Sequence, residues 1–146
     1  MDILYQVLVY IHVMSAVLSI GPFFVLIPLV RQLYKVQAEV QAAYLSIFTF
    51  LVRLVKHAGH VLVASGILLI LKGPWSWTAS WIVMTVLVMA SSVFFLARAF
   101  SPTLKKWNEP DSDKKKLADK LHQSVWIYIL LLMLMLWFMV AKPIMW

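Results

Sequence analysis

Cysteine is absent from the 146-residue chain, which removes thiolate chemistry, iron–sulfur ligation and disulfides together. Charge is also scarce: 13% of the residues are Asp, Glu, Lys or Arg and 63% are hydrophobic, where a soluble domain averages about a quarter charged and half apolar. With a mean hydropathy of +0.88, an ordinary soluble domain is excluded. The net charge of +7 and the pI near 9.8 would suit a polyanion, but the charges sit at the ends of apolar blocks, so no nucleic-acid partner is expected. No phosphate-binding glycine loop is present, and no carboxylate lies inside an apolar block, so nucleotide chemistry and carboxylate-based proton coupling lack their residues.

Four long apolar blocks fill the chain, each near the roughly 20 residues that cross about 30 Å of hydrocarbon. They predict helices over about 3–30, 50–71, 77–100 and 125–141. Met1-Asp2 carries no basic segment and the first block is longer than a signal peptide's apolar region, so it reads as a retained span. Residues 31–49 and 101–124 are the expected cytoplasmic loops. The amphipathic stretch Arg31–Ala43 can continue either neighbouring helix, and Asp111-Ser112-Asp113 offers caps for a helix running unbroken into the fourth span. Lys72-Gly73-Pro74-Trp75 is a tight turn, which predicts that the second and third spans are antiparallel neighbours.

Basic residues are distributed unequally. Arg31, Lys35, Arg53, Lys56, Arg98, Lys105, Lys106, Lys114, Lys115, Lys116 and Lys120 lie toward the loops after spans 1 and 3, while Lys72 and Lys142 lie at the other ends. That asymmetry puts both termini outside. Trp75, Trp77, Trp81 and Trp146 then gather at the outer interface. The expected fold is all-α, an integral membrane antiparallel four-helix bundle of one domain over residues 1–146, multi-pass in a bacterial plasma membrane. A β-barrel is excluded by the lack of alternating strands. The lysines after span 3, interleaved with Asp111, Asp113 and Asp119, read as topology determinants on a solvated helix.

Polar residues inside the spans carry the functional information, because they are costly at depth. Tyr5, His12, Ser15, Ser19 and Pro22 recur at helical spacing and predict an inward face on span 1, with Pro22 and Pro28 removing backbone donors. On span 2, Arg53, His57, His60 and Ala64 form a second stripe, with Lys56 beside it. Arg53 and Lys56 read either as snorkelling cations or as partners for an anionic ligand group. Counted along the helices, His60 lies about 16 Å below the outer end of span 2 and His12 about 13 Å below that of span 1. Two imidazoles at one depth on two helices fit the axial ligands of a haem b, with His57 as an alternative second ligand. Equally, His57 and His60 at i, i+3 with His12 as a third ligand fit a metal ion, or each His hydrogen-bonds across a helix interface. Thr78, Thr85 and Ser92 give span 3 a face for helix–helix hydrogen bonds, Met133, Met135 and Met139 in span 4 read as gap-filling or lipid-facing, and His122 reads as interfacial.

His12, Gly21, Pro28 and Arg31 in span 1, and Ala64-Ser65-Gly66-Ile67-Leu68-Leu69 before a short turn and Trp, resemble a superfamily of small four-helix membrane proteins. It includes the bacterial membrane protoporphyrinogen oxidases and the membrane domain of copper-resistance D-type proteins. The resemblance covers roughly spans 1 to 3. It implies His12 as the matched site residue and haem or porphyrin as the ligand class. Where the oxidase branch carries a membrane lysine after the Trp of span 3, this chain has Trp81-Ile82-Val83-Met84, so the catalytic lysine is missing. The expected function is a haem-binding membrane protein acting in electron transfer, haem handling or porphyrin oxidation. The alternative is a non-enzymatic module that transports a small solute or copper or docks a partner, alone, as a homo-oligomer or within a larger membrane complex.

Overall fold

The computed structural model describes residues 2–146. Its helices are α1 (Ile3–Gln32), α2 (Ala38–Lys72), α3 (Ser80–Ala99), the short α4 (Ser101–Trp107) and α5 (Lys114–Ala141). Four spans, α1, α2, α3 with α4, and α5, are long and apolar enough to cross a membrane, and together they make an all-α antiparallel four-helix bundle. Most of each span's surface is unburied by the bundle and is apolar, including Val17, Phe24, Leu87, Leu130 and Trp137. Such a surface needs lipid around it, so the chain is a multi-pass membrane protein.

The helices outrun their apolar blocks. At 1.5 Å per residue, α2, with 35 residues, is about 52 Å long, well beyond the hydrocarbon thickness of about 30 Å. The expected loop 31–49 therefore shrinks to Leu33–Gln37, and α2 begins twelve residues before the expected start at 50. Hydropathy marks the part of the helix that crosses lipid and misses the amphipathic part that stands in water. Likewise, the expected loop 101–124 contains α4 and the first turns of α5. Asp113 caps α5, its carboxylate accepting from the Lys116 amide at 3.3 Å. The break between α3 and α4 falls at Phe100, where Pro102 enters the first turn of α4 without an amide proton.

The order of packing differs from the order of the chain. The helix pairs that pack along their length are α1 with α2, α1 with α5, and α3 with α5. The second and third spans are antiparallel neighbours as expected, but they do not pack along their length: α2 and α3 stand side by side across a gap. Their connection, Gly73–Ala79, carries Trp75 and Trp77, both in the wall of that gap, and Trp75 meets Trp81 of α3 edge to face at 5.3 Å. A seven-residue connection holding bulky indoles between the helix ends keeps them apart.

The interior is filled at one end and hollow at the other. Toward the lysine-rich end, Phe100 has no exposed surface and is ringed by Phe48 at 5.7 Å, Phe23 at 6.0 Å, Tyr128 at 6.1 Å and Phe95 at 6.4 Å, centroid to centroid. Toward the end that bears the termini, the buried positions include Ser15, Ser65, Ser80 and Thr85. These small side chains cannot fill the space between four helices, and a cavity remains there.

Candidate functional site

The cavity has a volume of about 710 Å³ and is lined from α1, α2, α3 and α5, at the gap left between α2 and α3. Its size is that of a small-molecule or cofactor site. The wall is apolar almost throughout. His12, Ala16 and Ile20 of α1, Leu62 and Gly66 of α2, Met89 of α3, and Met135 and Met139 of α5 contribute, and Trp75, Trp77, Trp81 and Lys142 stand at the end near the termini.

His12 is the imidazole in this wall, and its orientation is fixed from α2. Its Nδ1 lies 3.1 Å from the Leu62 carbonyl oxygen and 3.0 Å from Ser65 Oγ. A carbonyl only accepts, so the first contact is a hydrogen bond only if Nδ1 carries the proton. The Ser65 hydroxyl then donates to the same Leu62 oxygen, at 3.0 Å, and every group in the triangle is satisfied. In this tautomer Nε2 holds the lone pair. It has no partner within the protein, and no buried side-chain nitrogen or oxygen among the described residues lacks one. Nε2 is therefore an accessible acceptor on a ring that lines the cavity. Gly66 makes room for that ring: a Cβ there would meet His12 Cε1 at 3.2 Å.

The inward stripe of α1 is present, with Ser15 and Ser19 buried and Tyr5, His12 and Pro22 half-buried. The serines bond within their own helix, Ser15 Oγ to Ile11 O at 2.7 Å and Ser19 Oγ to Ser15 O at 2.8 Å. Of the expected helix–helix face on α3, Thr85 donates to Trp81 O and Ser92 to Met89 O, while Thr78 is exposed. Bonding back onto the own helix satisfies a buried hydroxyl without a neighbour.

The α2 stripe lies elsewhere. Arg53, Lys56, His57 and His60 are all exposed on the outer side of the helix, opposite the buried Val55, Ala58, Leu62 and Ser65. His57 and His60 neighbour each other, ring centroids 6.4 Å apart, and neither lines the cavity. The expected facing pair of His12 and His60 is corrected: the two rings lie on different sides of α2. The alternative metal site of His12, His57 and His60 is corrected with it, and no group of three His, Cys, Asp or Glu among the described residues converges as a metal site. Arg53 and Lys56 also lie away from the cavity. His122 has a structural partner, accepting at Nε2 from the Arg31 Nε–H at 3.3 Å and so linking the lysine-rich ends of α1 and α5.

The sequence reading missed the cavity itself, Gly66 as the seat of the imidazole, and Lys142. A signal was present: inward positions near the termini carry Ser, Ala, Gly and Thr, while those at the other end carry Phe and Tyr. No protein-family model, curated protein or solved structure matches the chain.

Proposed function

We propose that this chain is a haem- or porphyrin-binding protein of the bacterial plasma membrane, with its termini on the outer face, and that it holds the macrocycle in the cavity between α2 and α3 with His12 as the axial donor. One observation carries the reading: the clamp on His12 Nδ1. An imidazole that serves a metal donates its other ring N–H to a carbonyl or similar acceptor, which fixes the tautomer and raises the basicity of the ligating nitrogen. His12 is held in that way by Leu62 O and Ser65 Oγ.

The donor set suits the group. The cavity offers a neutral imidazole, the thioethers of Met89, Met135 and Met139, and flat aromatic and aliphatic walls. No carboxylate that would select a hard cation lines it. Haem held by a histidine supplies one-electron or oxygen chemistry whose direction is tuned by the polarity and access of the pocket. The protein's own part is to orient Nε2, to exclude water with an apolar wall, and to admit the ligand laterally through the gap between α2 and α3.

A spectroscopic titration tests the proposal. Detergent-purified protein titrated with haem should develop a Soret band that His12→Ala abolishes or shifts. His57→Ala, His60→Ala and His122→Ala should leave it in place, since those residues lie outside the cavity. Protein that stays colourless at saturating haem, or a band that depends on His60 and not on His12, would overturn the proposal and favour the transport or docking alternative.

A further inference from the structure

Among the described residues, Lys142 is the only charged side chain in the wall of the cavity. A lysine at a membrane surface ordinarily runs its stem along apolar surface and places its ammonium in water. Lys142 is an exposed residue at the rim, and its ammonium also rests 4.1 Å from the ring centroid of Trp75 and 5.5 Å from that of Trp81. The two indoles meet at 90° and both line the cavity.

The backbone pays a conformational penalty to hold it there. Lys142 is left-handed, with φ 46° and ψ 52°, and it is the only non-glycine residue with positive φ among the described residues. It also precedes Pro143, which restricts its torsions further. Such a conformation persists where the surroundings over-determine it, and here they do. Ser80 Oγ donates to Pro143 O at 2.8 Å, the Met145 amide donates to Ser80 Oγ at 3.0 Å, and the Trp146 indole N–H donates to Thr78 O at 3.1 Å. The segment after α5 is thereby tied across the start of α3, and Lys142 is fixed at the rim.

The ammonium faces no carboxylate in this wall, since Asp2, Glu39, Glu109, Asp111, Asp113 and Asp119 all lie outside the lining. Indole faces attract a cation but satisfy none of its three donors with an oxygen. We infer that Lys142 reads an acidic group on the ligand of this cavity, so that the ligand is an amphipathic anion with its apolar body between α2 and α3 and its anionic end at the rim near the termini. The inference rests on the haem reading for the identity of the ligand: the propionate carboxylates then point to Lys142, not to Arg53 or Lys56, which are exposed on the far side of α2. His12 and Lys142 give such a ligand two points of attachment along the bundle axis. Trp75 and Trp81 hold the ammonium in place before the ligand arrives.

The test compares ferric protoporphyrin IX with its dimethyl ester, which keeps the macrocycle and iron and lacks both negative charges. Absorbance titrations on the full chain in detergent are run with wild type, Lys142→Gln and Lys142→Arg. Wild type should bind the free acid more tightly than the ester by about tenfold, as expected for a charge-assisted contact at a partly shielded site. Lys142→Gln should erase that preference by weakening the acid and leaving the ester unchanged, while Lys142→Arg should retain it. If wild type binds acid and ester equally, or if Lys142→Gln weakens both alike, the role of Lys142 fails while a Soret band that needs His12 leaves the porphyrin reading standing. Failure of wild type to bind either compound overturns both. Because the acid–ester comparison on wild type needs no variant, instability of Lys142→Gln would not rescue the inference.

Discussion

Gly66 gives the sharpest test of how His12 is seated, independent of any ligand. A Cβ at Gly66 would lie 3.2 Å from His12 Cε1 and 3.6 Å from Nδ1, whereas one at Gly21 or Gly59 meets nothing within 4 Å. In a helix, replacing glycine by alanine is favourable by about 0.8–1 kcal/mol when nothing is in the way. Gly21→Ala and Gly59→Ala should therefore raise the denaturation temperature slightly. At Gly66 the same gain meets a cost. The ring must withdraw from α2 by a few tenths of an ångström, and both acceptors of its Nδ1–H, Leu62 O at 3.1 Å and Ser65 Oγ at 3.0 Å, belong to the helix it withdraws from. Stretching those bonds costs about 0.5–1.5 kcal/mol, so Gly66→Ala should come out near wild type. Gly66→Val adds two stiff methyl groups against the same ring and should cost about 1–3 kcal/mol.

Thermal denaturation in detergent, followed by loss of helical circular dichroism, should rank Gly21→Ala and Gly59→Ala highest, wild type and Gly66→Ala together, and Gly66→Val lowest. Placing Gly66→Val in a His12→Ala background should recover much of its loss, because the clashing partner is gone, with a coupling of about 1 kcal/mol or more for residues in contact. The reasoning fails if Gly66→Val is as harmless as Gly59→Val, or if the double variant shows no coupling.

Other outcomes follow from the packing and the charge distribution. In this cysteine-free chain, a membrane-impermeant thiol reagent applied to intact cells should label Ser76→Cys and spare Asp111→Cys; the reverse would invert the orientation drawn from the basic residues. Phe100→Ala should be among the most damaging core changes, about 2 kcal/mol or more from lost packing and a residual void, visible as early loss of helix on heating, with Phe100→Leu milder. Asp113→Ala removes the cap of α5 and should cost about 1 kcal/mol, detected as earlier hydrogen exchange in residues 114–117, whereas Asp111→Ala should leave that exchange unchanged.

Much of the architecture was legible because in a membrane chain hydropathy and lysine placement are governed by lipid thickness and charge, which act on each span separately. The positions of four spans came from those two signals, and the cap at Asp113 from its local chemistry. What depends on how helices meet was not legible. The short connection after Lys72 makes α2 and α3 antiparallel neighbours, but connection length bounds only the distance between helix ends and leaves their packing open. Whether the helices touch depends on what fills the space, and nothing local to Trp75 or Trp77 specifies that their indoles stand in it.

The same distinction explains why one histidine was placed correctly and the other was not. In water a polar stripe marks the outer face of a helix; in lipid a polar stripe is expected inside, and α1 follows the second rule with His12, Ser15 and Ser19. On α2 the inward residues Val55, Ala58, Leu62 and Ser65 lie about 150° around the helix from Arg53, His57, His60 and Ala64. The side was decided by the two cations. No acidic residue lies within the apolar blocks, so Arg53 and Lys56 have no counter-charge inside the bundle, and an unpaired charge in the interior costs several kcal/mol. Their long stems carry them outward and toward the lysine-rich end, where headgroups are within reach. His57 stands four residues beyond Arg53 and His60 four beyond Lys56, one helical turn in each case, so the face that turns the cations outward turns both imidazoles with it. His12 has no cation on its face of α1 before Arg31, and it is the histidine left to the interior.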